Sequence, residues 1–127
     1  MQSIYPEQMQ RPKGHYSPGV VHNGFVFVSG QLSLDANGVA QLGSIEEQTI
    51  LCMKNIETIL KAAGSDMQHI LKVNVFIADI NNWAKFNETY SKIMGEHRPA
   101  RVVVPCGTLN RGCAIEIDCI AAVATEK

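Results

Sequence analysis

Residues 98–123 read RPARVVVPCGTLNRGCAIEIDCIAAV, and the strands within them decide the fold. Val102, Val103 and Val104 form the most apolar short run of the chain, which predicts a buried strand. After the loop PCGTLNRGC, Ile115, Ile117 and Cys119 alternate with Glu116, Asp118 and Ile120. That period of two belongs to a strand with one face in a core, and Cys119 reads as a small core residue in phase with the isoleucines. Two strands therefore close the chain with no helix between them. Arg101 stands at the mouth of the first, where an unpartnered guanidinium is out of place in a buried strand.

Upstream, the elements follow from their punctuation. Val20–His22 and Phe25–Ser29 flank Asn23-Gly24, a dipeptide suited to the type I′ turn of a two-residue hairpin. The stretch LDANGVAQLG reads as loop. Ser44 and Glu47 have the spacing of a capping box, opening a helix whose buried face carries Cys52, Ile56, Ile59 and Ala63 and which stops at Gly64. In ILKVNVFIAD, Val73, Val75 and Ile77 alternate with polar neighbours as in a strand. A second helix begins near Ile80 or Asn81, buries Trp83, Phe86, Tyr90 and Ile93 or Met94, and ends at Gly95. The order is hairpin, helix, strand, helix, strand, strand. This predicts one α+β domain over residues 1–127, with a mixed sheet of five or six strands and both helices on one face. The other face needs a cover, and self-association supplies the simplest one.

Composition bounds the function. The chain has 127 residues, 46% hydrophobic and 18% charged, which is globular and large enough for a core without disulfides. A formal net charge of −1 without basic runs gives nucleic acid and anionic membranes no electrostatic handle. No window approaches the roughly 20 apolar residues of a membrane helix, and the polar N-terminus lacks an apolar signal core. A cytoplasmic location is expected. The four cysteines form no CxxC pair and the four histidines are scattered, against a structural metal. Phosphate loops, nucleophile elbows, HExxH and dinucleotide glycine fingerprints are absent from the sequence.

The remaining candidates are polar residues at strand ends and faces. Arg101 fits a surface salt bridge, or a cleft in which its planar fork grips a carboxylate. Glu116 and Asp118 share one strand face, either solvated or lining a cleft where burial raises one pKa toward the range of proton transfer. Tyr16 lies in the glycine-bracketed loop GHYSPG, and Ser29-Gly30-Gln31 closes the hairpin's second strand, where glycine admits close approach to backbone amides. Asn87, beside Phe86 on the second helix, either donates to a ligand or faces solvent.

The ordered set GHYSPGV, VFVSGQL, AAG, VFIADINNWAKFNETY, RPARVVV and IEIDCIA, running from about Tyr16 to Val123, resembles the Rid family of YjgF-like reactive-intermediate deaminases, also known as L-PSP endoribonucleases. The resemblance implies a chorismate-mutase-like fold and a homotrimer with clefts between subunits. It implies hydrolysis of enamines and imines such as 2-aminoacrylate, as a 2-iminobutanoate/2-iminopropanoate deaminase, to 2-oxo acids and ammonia. No cofactor is implied, since an imine carbon is already electrophilic. Residue by residue, Arg101 would grip the substrate carboxylate, Glu116 would lie near the attacking water and Tyr16 would close the pocket. Backbone around Gly30 would line it, with Asn87 nearby. Val103 stands where many members carry a cysteine two residues after the arginine, so any thiol-based regulation there is lost. His15 and Asn110 each replace a common proline, and Pro18 a common glutamine. These departures bear on substrate choice and rate, and leave Arg101 and Glu116 in place. Two other functions remain: a non-catalytic module binding a small carboxylate such as a 2-oxo acid, and an endoribonuclease, for which basic surface and stacking aromatics are missing.

Overall fold

A computed structural model describes residues 1–124. Its strands are β1 (Gln2–Ile4), β2 (Gly19–His22), β3 (Phe25–Gln31), β4 (Ile70–Ile77), β5 (Ala100–Pro105) and β6 (Ile115–Ala122); its helices are α1 (Ile45–Ala62) and α2 (Trp83–Met94). One mixed sheet has the order β1-β2-β3-β6-β4-β5. All pairs are antiparallel except β4–β5, whose parallel pairing spans the α2 crossover. The short β1 was not anticipated. Its three residues carry too little pattern to stand out, and it exists by pairing with β2.

The local signals act as expected. Asn23 and Gly24 both have positive φ, 52° and 82°, as a type I′ turn requires. Ser44 Oγ accepts from Glu47 N at 3.1 Å while Glu47 Oε1 accepts from Ser44 N at 2.9 Å, closing the capping box. Gly64, with φ 81°, follows the last turn of α1 in the left-handed region where a side chain would be strained. Cys52, Ile56 and Ile59 of α1 and Phe86, Tyr90 and Met94 of α2 pack on one sheet face, formed by Val26, Val28, Val73, Val75, Ile77, Ile115, Ile117 and Cys119. Among the described residues, no helix is long and apolar enough to cross a membrane.

Two expectations are corrected. The Val102–Val104 run is not a buried strand, since Val102 and Val104 are 43% and 37% exposed. Among the described residues β5 is the last strand of the sheet and pairs only with β4. With both helices on the other face, nothing among the described residues lies above its alternate side chains; Phe25 and Phe27 of β3 are exposed for the same reason. Trp83, expected in the core, is 40% exposed. It opens α2 beside the guanidinium of edge-strand Arg101, beyond the sheet's cover.

Buried Gln48 ties α1 to the start of β6. Its Oε1 accepts from Ala114 N at 2.8 Å and Ser33 Oγ at 3.3 Å, and its Nε2 donates to Gly43 O at 2.9 Å. Gln48→Leu strands a backbone donor, and should cost about 1–3 kcal/mol in urea denaturation. An unchanged midpoint would show that Ala114 N–H finds another partner.

Candidate functional site

Arg101 pairs with Val73 across β4–β5, and Val73 is wholly buried beneath the helices. Paired residues in a sheet point to the same side, so Arg101 lies on the helix face at the sheet's open edge. Helix α2 holds it there. Arg101 Nη1 donates to Asn87 Oδ1 at 2.9 Å, and the guanidinium carbon lies 4.9, 5.5 and 5.9 Å from the ring centroids of Tyr90, Phe86 and Trp83. These are cation–π distances. Among the described residues no carboxylate pairs with Arg101, so the salt-bridge role is not the one it has. Beside it opens a hollow of about 510 Å³ whose lining includes Asn87, Tyr90, Ser91, His97, Arg98 and Arg101.

Tyr90 was legible only as core. Its hydroxyl is buried and, among the described residues, unpartnered; burial pushes its pKa up, against the pull of the neighbouring Arg101 cation. A tyrosine at an apolar helical position gives no warning that its hydroxyl ends beside a guanidinium. Arg98 and His97 went unnoticed for a similar reason, because the turn leaving α2 has no pattern that shows what it lines.

Glu116 occupies the opposite face. It pairs with Phe76 of β4, between Ile115 and Ile117, which are wholly buried on the helix side. Its carboxylate lies against Gly30 of β3, in the space a Cβ there would fill. Gly30 sits in the register shift between Val28 and Gln31. The glycine and the irregularity together give the carboxylate room on an otherwise regular sheet. Burial raises the Glu116 pKa above the ordinary carboxylate value, and the nearby Asp118 adds to the rise. Asp118 is engaged elsewhere, accepting from Asn74 Nδ2 at 2.7 Å.

Tyr16 is half exposed. Its loop is fastened to β3 next to Gly30, through Ser29 Oγ to Ser17 O at 2.6 Å and Ser29 N to Pro18 O at 2.9 Å. Val103 pairs with Val75 and packs against the core, so its side chain is a wall behind Arg101. The six expected residues thus form two groups. Arg101, Asn87 and Val103 lie on the helix side at β5; Glu116 and Gly30 lie together on the other side, with the Tyr16 loop fastened to the strand beside Gly30. Strand β4 stands between β5 and β6. Within one chain, Arg101 and Glu116 do not converge on one small molecule. Among the described residues no cluster of His, Cys, Asp or Glu could hold a metal ion.

Comparison with known proteins gives this geometry its context. The family model described as Endoribonuclease L-PSP matches residues 7–123. A RutC family protein of Pyrococcus abyssi is 40% identical over 119 residues, which cover 93% of this chain and 94% of that one. The crystal structure of a Rid family protein from Yersinia pestis superposes with a TM-score of 0.91 at 32% identity, covering 96% of this chain and 98% of that one. That of TdcF from E. coli, solved with bound serine, gives a TM-score of 0.90 at 30% identity over 98% of this chain and 100% of that one. With its mixed six-stranded sheet, its paired helices and a family match over nearly its whole length, the chain belongs to the Rid/YjgF family of L-PSP-type proteins.

Proposed function

We propose that the chain is a hydrolase acting on reactive 2-imino acids and their enamine tautomers, releasing 2-oxo acid and ammonia, at a site formed between copies of a homotrimer. The observation that carries this reading is Arg101, held by Asn87 and three aromatic rings, without a carboxylate partner among the described residues and facing a hollow. A guanidinium so held is pre-set for a bidentate grip on a carboxylate, fixing its plane as well as its charge. The serine bound to TdcF carries such a group.

Chemistry needs the second half. When the uncovered sheet face of one copy meets the β5 edge of another, Glu116, Gly30 and Tyr16 of the first complete the site around Arg101 of the second. Water adds to the carbon of the protonated imine while the Glu116 carboxylate takes one of its protons, leaving a neutral carbinolamine. Glu116 passes that proton to the nitrogen and takes up the hydroxyl proton as the C–N bond breaks, so that 2-oxo acid and ammonia leave and Glu116 sheds the remaining proton to water. A carboxyl whose pKa is raised by burial suits both steps. Placement of the two reacting groups supplies the rest of the rate.

A binding module is the second reading, favoured by the fact that one chain alone holds the whole carboxylate grip while Glu116 lies across the sheet. Turnover separates the two. Arg101→Ala should abolish both carboxylate binding and deamination, and Arg101→Lys should restore little. Glu116→Gln should bind 2-oxobutyrate near normally in calorimetry but lose about 10²–10⁴ in rate on imine released from serine-type precursors. Asp118→Asn, already satisfied by Asn74, should stay close to wild type in both. Equal small losses from the two carboxylate variants would make the protein a binding module.

Light scattering should give three times the 13.9 kDa chain mass, and a monomer would overturn the shared site. The raised Glu116 pKa has its own signature. Its protonated form favours folding, so the stability it contributes is present below the ordinary carboxylate pKa and lost as pH rises through the raised one. Glu116→Gln should therefore melt above wild type at neutral pH, with the gap closing under acid. A gap that ignores pH would contradict the burial assigned to Glu116.

A further inference from the structure

Arg101 is not the only basic side chain at the hollow beneath α2. Arg98 and His97, from the segment joining α2 to β5, line it as well, with Ser91 and Asn87 opposite. Among the described residues no aspartate or glutamate lines it. Glu88, one turn along α2 from Ser91, lies toward Lys92 at 4.0 Å instead. His97 Nε2 lies 2.8 Å from Ile70 O, so this nitrogen carries a proton and the ring is fixed at the rim. Among the described residues Arg98 makes no ion pair. A chain whose formal net charge is −1 thus gathers two guanidiniums and a histidine around one hollow, without an acid among the described residues to balance them.

One guanidinium has its anion in the proposed reaction, the α-carboxylate at Arg101. The second has none. Arg98 precedes Arg101 by three residues, and both line the same hollow. Two guanidiniums along one hollow suit a short molecule with an anion at each end. An aliphatic side chain would leave the Arg98 side of the hollow to water.

We propose that the preferred substrate class is the 2-imino dicarboxylic acids, with the α-carboxylate on Arg101 and the distal carboxylate on Arg98. This rests on the deaminase reading above and narrows it. Arg98 acts as a specificity-determining residue; the bonds made and broken at the imine carbon are those already given. Because Arg98 is exposed, its contribution is that of one charge-assisted hydrogen bond partly screened by water, about tenfold in affinity.

The test compares imines generated in situ by an amino-acid oxidase from glutamate and from norvaline, which has a five-carbon chain without the distal charge. Calorimetry of 2-oxoglutarate against 2-oxopentanoate runs in parallel. Wild type should favour the glutamate-derived imine by about tenfold in kcat/KM, carried by KM, and 2-oxoglutarate by a similar factor in affinity. In Arg98→Ala both ratios should fall to near one; in Arg98→Glu they should invert; in Arg98→Lys part of the preference should return. A wild-type ratio near one, or a ratio that Arg98→Ala leaves unchanged, overturns the proposal. Failure of the deaminase reading looks different. Neither imine is then turned over, and the calorimetric ratio alone upholds or overturns the charge preference.

Discussion

Strand β6 lies between β3 and β4 at the centre of the sheet, and its alternation governs both faces at once. Ile115, Ile117 and Cys119 fill the core under the helices, while Glu116, Asp118 and Ile120 take the uncovered side. Slipping the strand by one residue would drive two carboxylates into that core and lift three apolar side chains out of it. The register is pinned at both ends by side chains outside the sheet. Gln48 holds Ala114 N–H just before the strand, and Ser65 Oγ donates to Ala122 O at 2.5 Å at its end. The position of Glu116 beside Gly30 follows from these constraints, as does the apolar floor on which α2 rests and from which it reaches Arg101.

The electrostatics at Glu116 and at Arg101 are opposite in kind. Glu116 sits where burial and Asp118 both disfavour its charge, so it takes up a proton more readily than an exposed glutamate. Among the described residues Arg101 has no carboxylate beside it. Three ring faces and one amide oxygen meet it instead, fixing its plane while leaving further N–H groups to seek an acceptor. A cation held among rings thus stands on one face of the sheet and a partly buried carboxylate on the other.

Much of this was legible in the sequence because its causes are local. The capping box at Ser44 and Glu47, the Asn23-Gly24 turn and the opposite facing of Glu116 and Ile117 each depend on a few neighbouring residues. What escaped depends on distant ones. Three successive valines show no alternation, so nothing in Val102–Val104 reveals that β5 is an edge or which side is covered. Trp83 has the right helical spacing for the core, but the sheet does not extend beneath it. The face taken by Arg101 is set by its pairing with Val73, a contact made only after α2 has crossed over. The expected residues could be named one by one, yet their division between the two faces of the sheet follows from how the strands pair.

The edge itself has a further cost. β5 presents an open row of backbone donors and acceptors next to exposed Val102 and Val104, the combination on which stray strands add and chains aggregate. Prolines bracket it. Pro99 precedes the strand and Pro105 ends it, and neither has an N–H to offer an incoming chain. Between them only a short segment is open to pairing, so the strand that carries Arg101 is also guarded against becoming a template for fibrils.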